Sequence, residues 1–151
     1  KLSHIMRYIL TETQTEKVPL EKEIDFIKNF IDLQLVRLTD KVNVKFSIDG
    51  NIANKQIAPL LFIPFVENAF KYGVSTKENS EIEILLSVVN NQILFHVSNT
   101  IVHAENLYNG TTGIGINNVK RRLELSYPKQ HSLKVGQFDN QFKVYLEINL
   151  V

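Results

Sequence analysis

The sequence predicts an α/β (α+β) two-layer sandwich, a mixed sheet with helices on one face. Three observations carry that prediction. Apolar residues keep helical spacing along four stretches and alternate along five others. The two periods follow one another as helix, helix, strand, helix, strand, strand, loop, helix, strand, strand. Finally, 151 residues suffice for one domain with a substantial core and are too few for two ordinary ones.

Leu2, Ile5, Met6, Ile9 and Leu10 place a helix over residues 1 to about 13, ending in the polar run Thr11 to Thr15. His4 lies on it and reads as a surface histidine, since no acidic or amide neighbour tunes it as a phospho-acceptor. Pro19 starts a second helix, with Leu20, Ile24, Ile27, Ile31, Leu35 and Leu38 as its apolar stripe. Glu21, Glu23 and Asp25 near its start and Arg37 near its end complement the helix dipole. From Val42 the period becomes two, and this strand stops at Asp49-Gly50-Asn51. A helix is expected over Pro59 to Gly73, with Leu61, Phe65 and Ala69 at four-residue steps and Phe62 and Val66 in the adjacent row. Two strands follow, about Ile82 to Val89 and Ile93 to Ser98, turned at Asn90-Asn91. His96, on the polar alternate of the second, has no partner spaced to bind metal.

Residues Thr100 to Thr112 have no period and read as a long loop, of a length that suggests a lid, with His103 and Glu105 as solvated residues. Gly110 to Gly115 form a glycine-rich turn into a helix that packs through Ile116, Val119, Leu123 and Ser126 and stops at Tyr127-Pro128. Strands at about Ser132 to Phe138 and Gln141 to Leu150, turned at Asp139-Asn140, close the chain.

Composition excludes several classes of function. A net charge of +1 lacks the basic excess of a general nucleic-acid binder. The absence of cysteine removes disulfide and thiolate chemistry. No apolar run reaches the roughly 18 residues of a membrane helix, since Ile57 to Phe70 is broken by Pro59, Pro64 and Glu67. The chain opens at Lys1 in helical pattern without an initiator Met, which gives the expectation of a piece cut from something longer.

Two stretches carry candidate chemistry. Glu67, Asn68 and Lys71 form a polar ridge on an otherwise apolar helix, and such groups need partners. An Asn carbonyl can coordinate Mg2+ and a Lys three residues on can meet phosphate. The ordinary counterpart is an Asn that caps a loop beside a Glu-Lys surface pair. In the second stretch, glycines allow close backbone approach, and the first amides of the following helix are unpaired donors that suit an anion. Its ordinary counterpart is a glycine hinge before a basic, solvated helix bearing Lys120, Arg121 and Arg122. Neither decides alone, but together they suggest the two halves of a Mg-nucleotide site. It is neither a P-loop, lacking Gly-Lys-Ser/Thr, nor a dinucleotide fingerprint, since no strand leads directly into Gly-Ile-Gly.

Glu67-Asn68-Ala69-Phe70-Lys71-Tyr72-Gly73 resembles the N box, and Gly113-Ile114-Gly115-Ile116-Asn117-Asn118-Val119-Lys120-Arg121-Arg122-Leu123 the glycine box, of LytS-like sensor histidine kinases. Leu2-Ser3, Met6-Arg7-Tyr8 and Val18-Pro19-Leu20-Glu21-Lys22-Glu23 resemble that family's linker between dimerisation helices and ATPase domain, so the likeness covers nearly the whole chain. It implies the Bergerat ATPase fold, with residues 1–18 as helix end and linker and 19–151 as the C-terminal ATP-binding catalytic domain. It also implies that Asn68 coordinates Mg2+ bridging the ATP phosphates while Lys71 and Tyr72 lie beside the nucleotide. Gly113, Gly115 and the amides from Ile116 on would cradle phosphate under a lid, with Asn118 and Lys120 continuing that wall. The γ-phosphoryl group would pass to a histidine.

The sequence departs from the family in several places. Asn99 stands where the family has an adenine-reading Asp, the glycine of that box is Ile101, and Phe142 replaces a Thr that touches adenine. Pro64 stands where hydrolysing relatives carry a water-activating Glu, which leaves Glu67 as the catalytic candidate, its role unresolved. No Asn-Pro-His-Phe type acceptor motif is present, so the expectation is ATP binding without self-phosphorylation. The resemblance further implies a homodimeric, membrane-anchored parent with this domain on its cytoplasmic side. The parent would use its own dimerisation domain as acceptor and a LytTR-type response regulator as partner, with no direct contact to nucleic acid. A second reading is a pseudokinase, a non-catalytic interaction module whose altered adenine pocket no longer binds ATP.

Overall fold

The computed structural model describes residues 16–102 and 113–150. The helix expected over residues 1 to 13, with His4, lies outside these, as do His103, Glu105 and most of the expected lid. The described elements are β1 (Val18–Pro19), α1 (Leu20–Leu35), β2 (Val42–Asp49), β3 (Gln56–Ile57), α2 (Ile63–Tyr72), β4 (Ser80–Val89), β5 (Gln92–Thr100), α3 (Gly113–Ser126), β6 (His131–Phe138) and β7 (Gln141–Asn149).

Alternation in the sequence becomes a five-stranded sheet in the order β2-β4-β5-β7-β6. β2 lies parallel to β4, as the crossover through α2 demands, and the remaining pairs are antiparallel. Asn90 and Asp139 adopt the left-handed conformation at the two hairpin turns. Inward residues Ile82, Ile84, Leu86, Ile93, Phe95, Val97, Val144, Leu146 and Ile148 are buried against the helices. The opposite face stays open, with Tyr145 and Phe138 exposed. There His96 stacks on Tyr145 at 4.4 Å and its Nδ1 lies 3.0 Å from the Val144 carbonyl, so it is a satisfied strand histidine.

The helix expected from Pro59 begins instead at Ile63. A helix started at Pro59 would place Pro64 in its interior, where the missing N–H and the ring break the ladder. At the first turn of α2 that N–H is not needed. The residues before it turn sharply, with Leu60 at φ 60°. Leu61 and Phe62 still point into the core, where Phe62 packs on Phe95 with ring centroids 4.6 Å apart.

Three further expectations are corrected. The stripe of α1 leaves the core at its end, and Leu35 is exposed. α3 takes in Gly113 and Gly115 as helical residues rather than as a turn before it. Ser126 is exposed, while Tyr127 takes the inward position, its hydroxyl accepting from the Ala58 N–H at 3.0 Å. The short β1–β3 pair, Val18 opposite Ile57, escaped notice because two-residue strands have no period. Among the described residues no helix is long and apolar enough to cross a membrane.

Candidate functional site

The chemistry-bearing ridge of α2 lies along a cleft of about 560 Å³, within the range of small-molecule sites. Helical spacing explains the convergence. Pro64, Glu67, Asn68 and Lys71 recur at steps of three and four, so they share one face while Phe65, Val66 and Ala69 face the core. Gly115, in the first turn of α3, closes one side of the cleft. A Cβ added there would stand 3.8 Å from the Pro64 Cβ, an ordinary van der Waals contact. Phe30 and Gln34 from α1 and Arg37 just past its end also line the cleft, with Phe30 packed edge-on against Phe70 at 5.9 Å.

The electrostatics are mixed. Lys71 and Arg37 supply two cations and Glu67 a carboxylate. The Glu67 side chain reaches solvent, yet the concave wall removes part of its hydration and raises its carboxyl above the ordinary 4.5. Asn68 is half-buried, and no protein hydrogen bond among the described residues engages its carboxamide. Among the described residues no group of three or more His, Cys, Asp or Glu could hold a metal. Asn68 is thus the neutral side-chain oxygen donor on the ridge of α2 that lines the cleft.

Comparison with known proteins agrees with this architecture. A family model described as histidine kinase matches residues 1–42. The chain is 27% identical over 151 residues to the sensor protein LytS of Staphylococcus saprophyticus, covering 89% of this chain and 25% of that protein. It is 30% identical over 135 residues to the sensor histidine kinase YpdA of Escherichia coli, covering 83% and 24%. The chain is a relative of the sensor histidine kinases. It spans about a quarter of the length of these curated relatives. The catalytic domain of histidine kinase ThkA superposes with a TM-score of 0.65 at 15% identity, over 89% of this chain and 96% of that one. ThkA has also been solved in complex with the response regulator protein TrrA. The fold is that of histidine kinase catalytic domains, the Bergerat type.

Within this kinase-like domain the structure brings Glu67, Asn68, Lys71 and Gly115 to one cleft, whereas Tyr72, Asn99, Ile116, Asn118 and Lys120 do not line it. Tyr72 turns inward, only 2% exposed, with its hydroxyl unpartnered among the described residues and the Lys71 ammonium 5.3 Å from its ring centroid. Asn99 is buried on β5, donating from Nδ2 to the Thr100 carbonyl at 3.0 Å. It packs so closely on the end of α2 that a Cβ on Gly73 would fall 2.8 Å from its own Cβ. Phe142 lies directly opposite Asn99 in the β5–β7 register, so the two departures from the family pattern are neighbours. Ile116 is buried with its side chain in the core, whereas Asn118 and Lys120 are exposed on α3. Gly113 is the first residue of α3.

Sequence reasoning missed the α1 wall and a buried polar clasp behind the cleft. Glu23, assigned to the helix dipole, is 2% exposed, and its Oε1 accepts the Leu60 N–H at 2.8 Å. Arg122 of α3 donates to the Leu60 carbonyl at 2.9 Å and also to the Pro59 carbonyl. Burial lowers the Arg122 pKa, and the charge of Glu23 counteracts that shift. The clasp thus ties α1 and α3 to the turn that launches α2. Four-residue spacing from the apolar positions Ile27 and Ile31 back to Glu23 was the signal that Glu23 faces inward.

Proposed function

We propose that residues 19–151 form the ATP-binding catalytic domain of a two-component sensor histidine kinase and that residues 1–18 form the link to its dimerisation helices. The observation that carries this reading is the convergence of Asn68, Lys71 and Gly115 on one cleft in this fold. Asn68 would offer its carbonyl oxygen to Mg2+, Lys71 a point charge to phosphate, and the α3 N-terminus its free amides. Bound ATP supplies the γ-phosphoryl group, and the protein's part is positioning and charge neutralisation. Asn99 would accept the adenine amino proton through its amide oxygen, without the charge of an Asp. Glu67, beside Asn68 and with a raised pKa, is the carboxylate suited to take a proton from an incoming histidine.

That histidine would belong to the dimerisation domain of a homodimeric, membrane-anchored parent, with this domain on the cytoplasmic side. A response regulator, LytTR-type by likeness to LytS, would receive the phosphoryl group, and the complex of ThkA with TrrA supports that class of partner.

Calorimetric titration of ATP with and without Mg2+, into wild type and Asn68→Ala, tests the reading. Expected are Mg2+-dependent binding by wild type and a loss of about tenfold or more in the variant, equivalent to about 1.4 kcal/mol. Equal affinity in both would refute the role of Asn68. Absence of binding by wild type would favour the pseudokinase interaction module, and Asn99→Asp should then restore binding.

A further inference from the structure

The α1 side of the cleft carries a cation to which neither the N box nor the glycine box assigns a role. Arg37 follows the last turn of α1, its backbone N–H still bonded to the Gln34 carbonyl at 3.1 Å. Its Nη2 donates to Gln34 Oε1 at 2.7 Å, and both side chains line the cleft together with Asn68 and Lys71. A cation at a helix C-terminus is favoured by the dipole alone, but the dipole does not select a side-chain direction. The Gln34 amide does: its oxygen engages one Nη2 donor, and no other described residue takes up the remaining donors of the guanidinium. No carboxylate among the described residues pairs with Arg37, and Glu67 across the cleft forms no ion pair with it. Two cations from different elements, neither in an ion pair among the described residues, and a carboxamide that no described residue engages share this cleft and match a multiply charged anion longer than a single phosphate.

We infer that Arg37, oriented by Gln34, is a terminal-phosphate clamp at the end of α1 that distinguishes nucleoside triphosphate from diphosphate. The inference rests on the nucleotide-binding reading and adds the wall that reads the far end of the chain of phosphates. Lys71 and Asn68, on α2, would hold the inner phosphates and their metal ion. Arg37 would then report that the transferable group is present.

The test is calorimetric titration of Mg-ATP, Mg-ADP and Mg-tripolyphosphate into wild type, Arg37→Ala, Arg37→Lys and Gln34→Ala. Arg37 is exposed and just past the helix end, so the variants should keep the wild-type circular dichroism and melting temperature. Expected for Arg37→Ala is a loss of about tenfold for ATP and tripolyphosphate, with ADP changed by less than about threefold. Lys at this position should recover part of the loss, because it keeps the charge without the fork, and Gln34→Ala should show a smaller loss of the same selectivity. Equal losses for ATP and ADP, or no loss for either, would overturn the clamp while leaving the ATP-binding reading intact. Tripolyphosphate binding that needs Arg37, in a wild type that does not bind ATP, would refute the ATP-binding reading and with it the discrimination between nucleotides, leaving Arg37 as a polyphosphate contact. Wild type that binds none of the three would overturn both.

Discussion

Replacing Glu23 by alanine should destabilise the domain far more than its place in the first turn of α1 suggests. The carboxylate is 2% exposed, accepts the Leu60 N–H at 2.8 Å, and offsets the charge of Arg122. Truncation removes an acceptor from a buried backbone donor, at about 1–3 kcal/mol. It also leaves the half-buried Arg122 without the nearby charge that counteracts its desolvation, and solvent screening holds that contribution to about 1 kcal/mol. The two contributions overlap, and Arg122 keeps its bonds to the Leu60 and Pro59 carbonyls, so the expected total is about 2–3 kcal/mol. For a chain of this size that corresponds to a fall of roughly 8 °C in melting temperature. Glu23→Gln keeps an oxygen for Leu60 and loses only the charge, so about 1–2 kcal/mol is expected. Urea melts followed by circular dichroism measure both, and a double-mutant cycle with Arg122→Met isolates the coupling. A cost below about 1 kcal/mol for Glu23→Ala, or a coupling near zero, would refute the view that this clasp holds the turn ahead of α2.

Gly73→Ala places a Cβ 2.6 Å from the Ala69 carbonyl and 2.8 Å from the Asn99 Cβ, so the end of α2 and β5 must part. A loss of about 1–3 kcal/mol in stability is expected from thermal melts, with weaker ATP binding if Asn99 reads the base. Glu67 gives a pH test. Its raised pKa means that the folded chain binds this proton more tightly than the unfolded chain does. Stability therefore falls as pH rises from the unfolded carboxylate value through the higher folded value, and is flat beyond it. Glu67→Gln should remove that slope, so its urea midpoint should gain on wild type as pH rises through this window. Parallel pH profiles would refute the assignment.

The period changes at Val42 and after Tyr72 made the sheet legible, because alternation and helical spacing are local properties of the chain. The polar ridge on α2 was legible for the same reason: four side chains three and four residues apart must share a face, whatever packs opposite them. Which groups lie opposite was not legible. Arg37 and Asn68 are 31 positions apart in the sequence, and only the packing of α1 beside α2 brings them to one cleft. Glu23 and Arg122 are further apart still, and each alone reads as a surface charge, since burial depends on what covers a side chain. The helix start at Ile63 rather than Pro59 has the same origin, a turn at Leu60 held by groups from two other helices. The sequence alone determined the longer elements, their order and which polar side chains share a face of α2. The tertiary structure decided how the walls close around that chemistry, because contacts between distant segments leave no periodic trace in the chain.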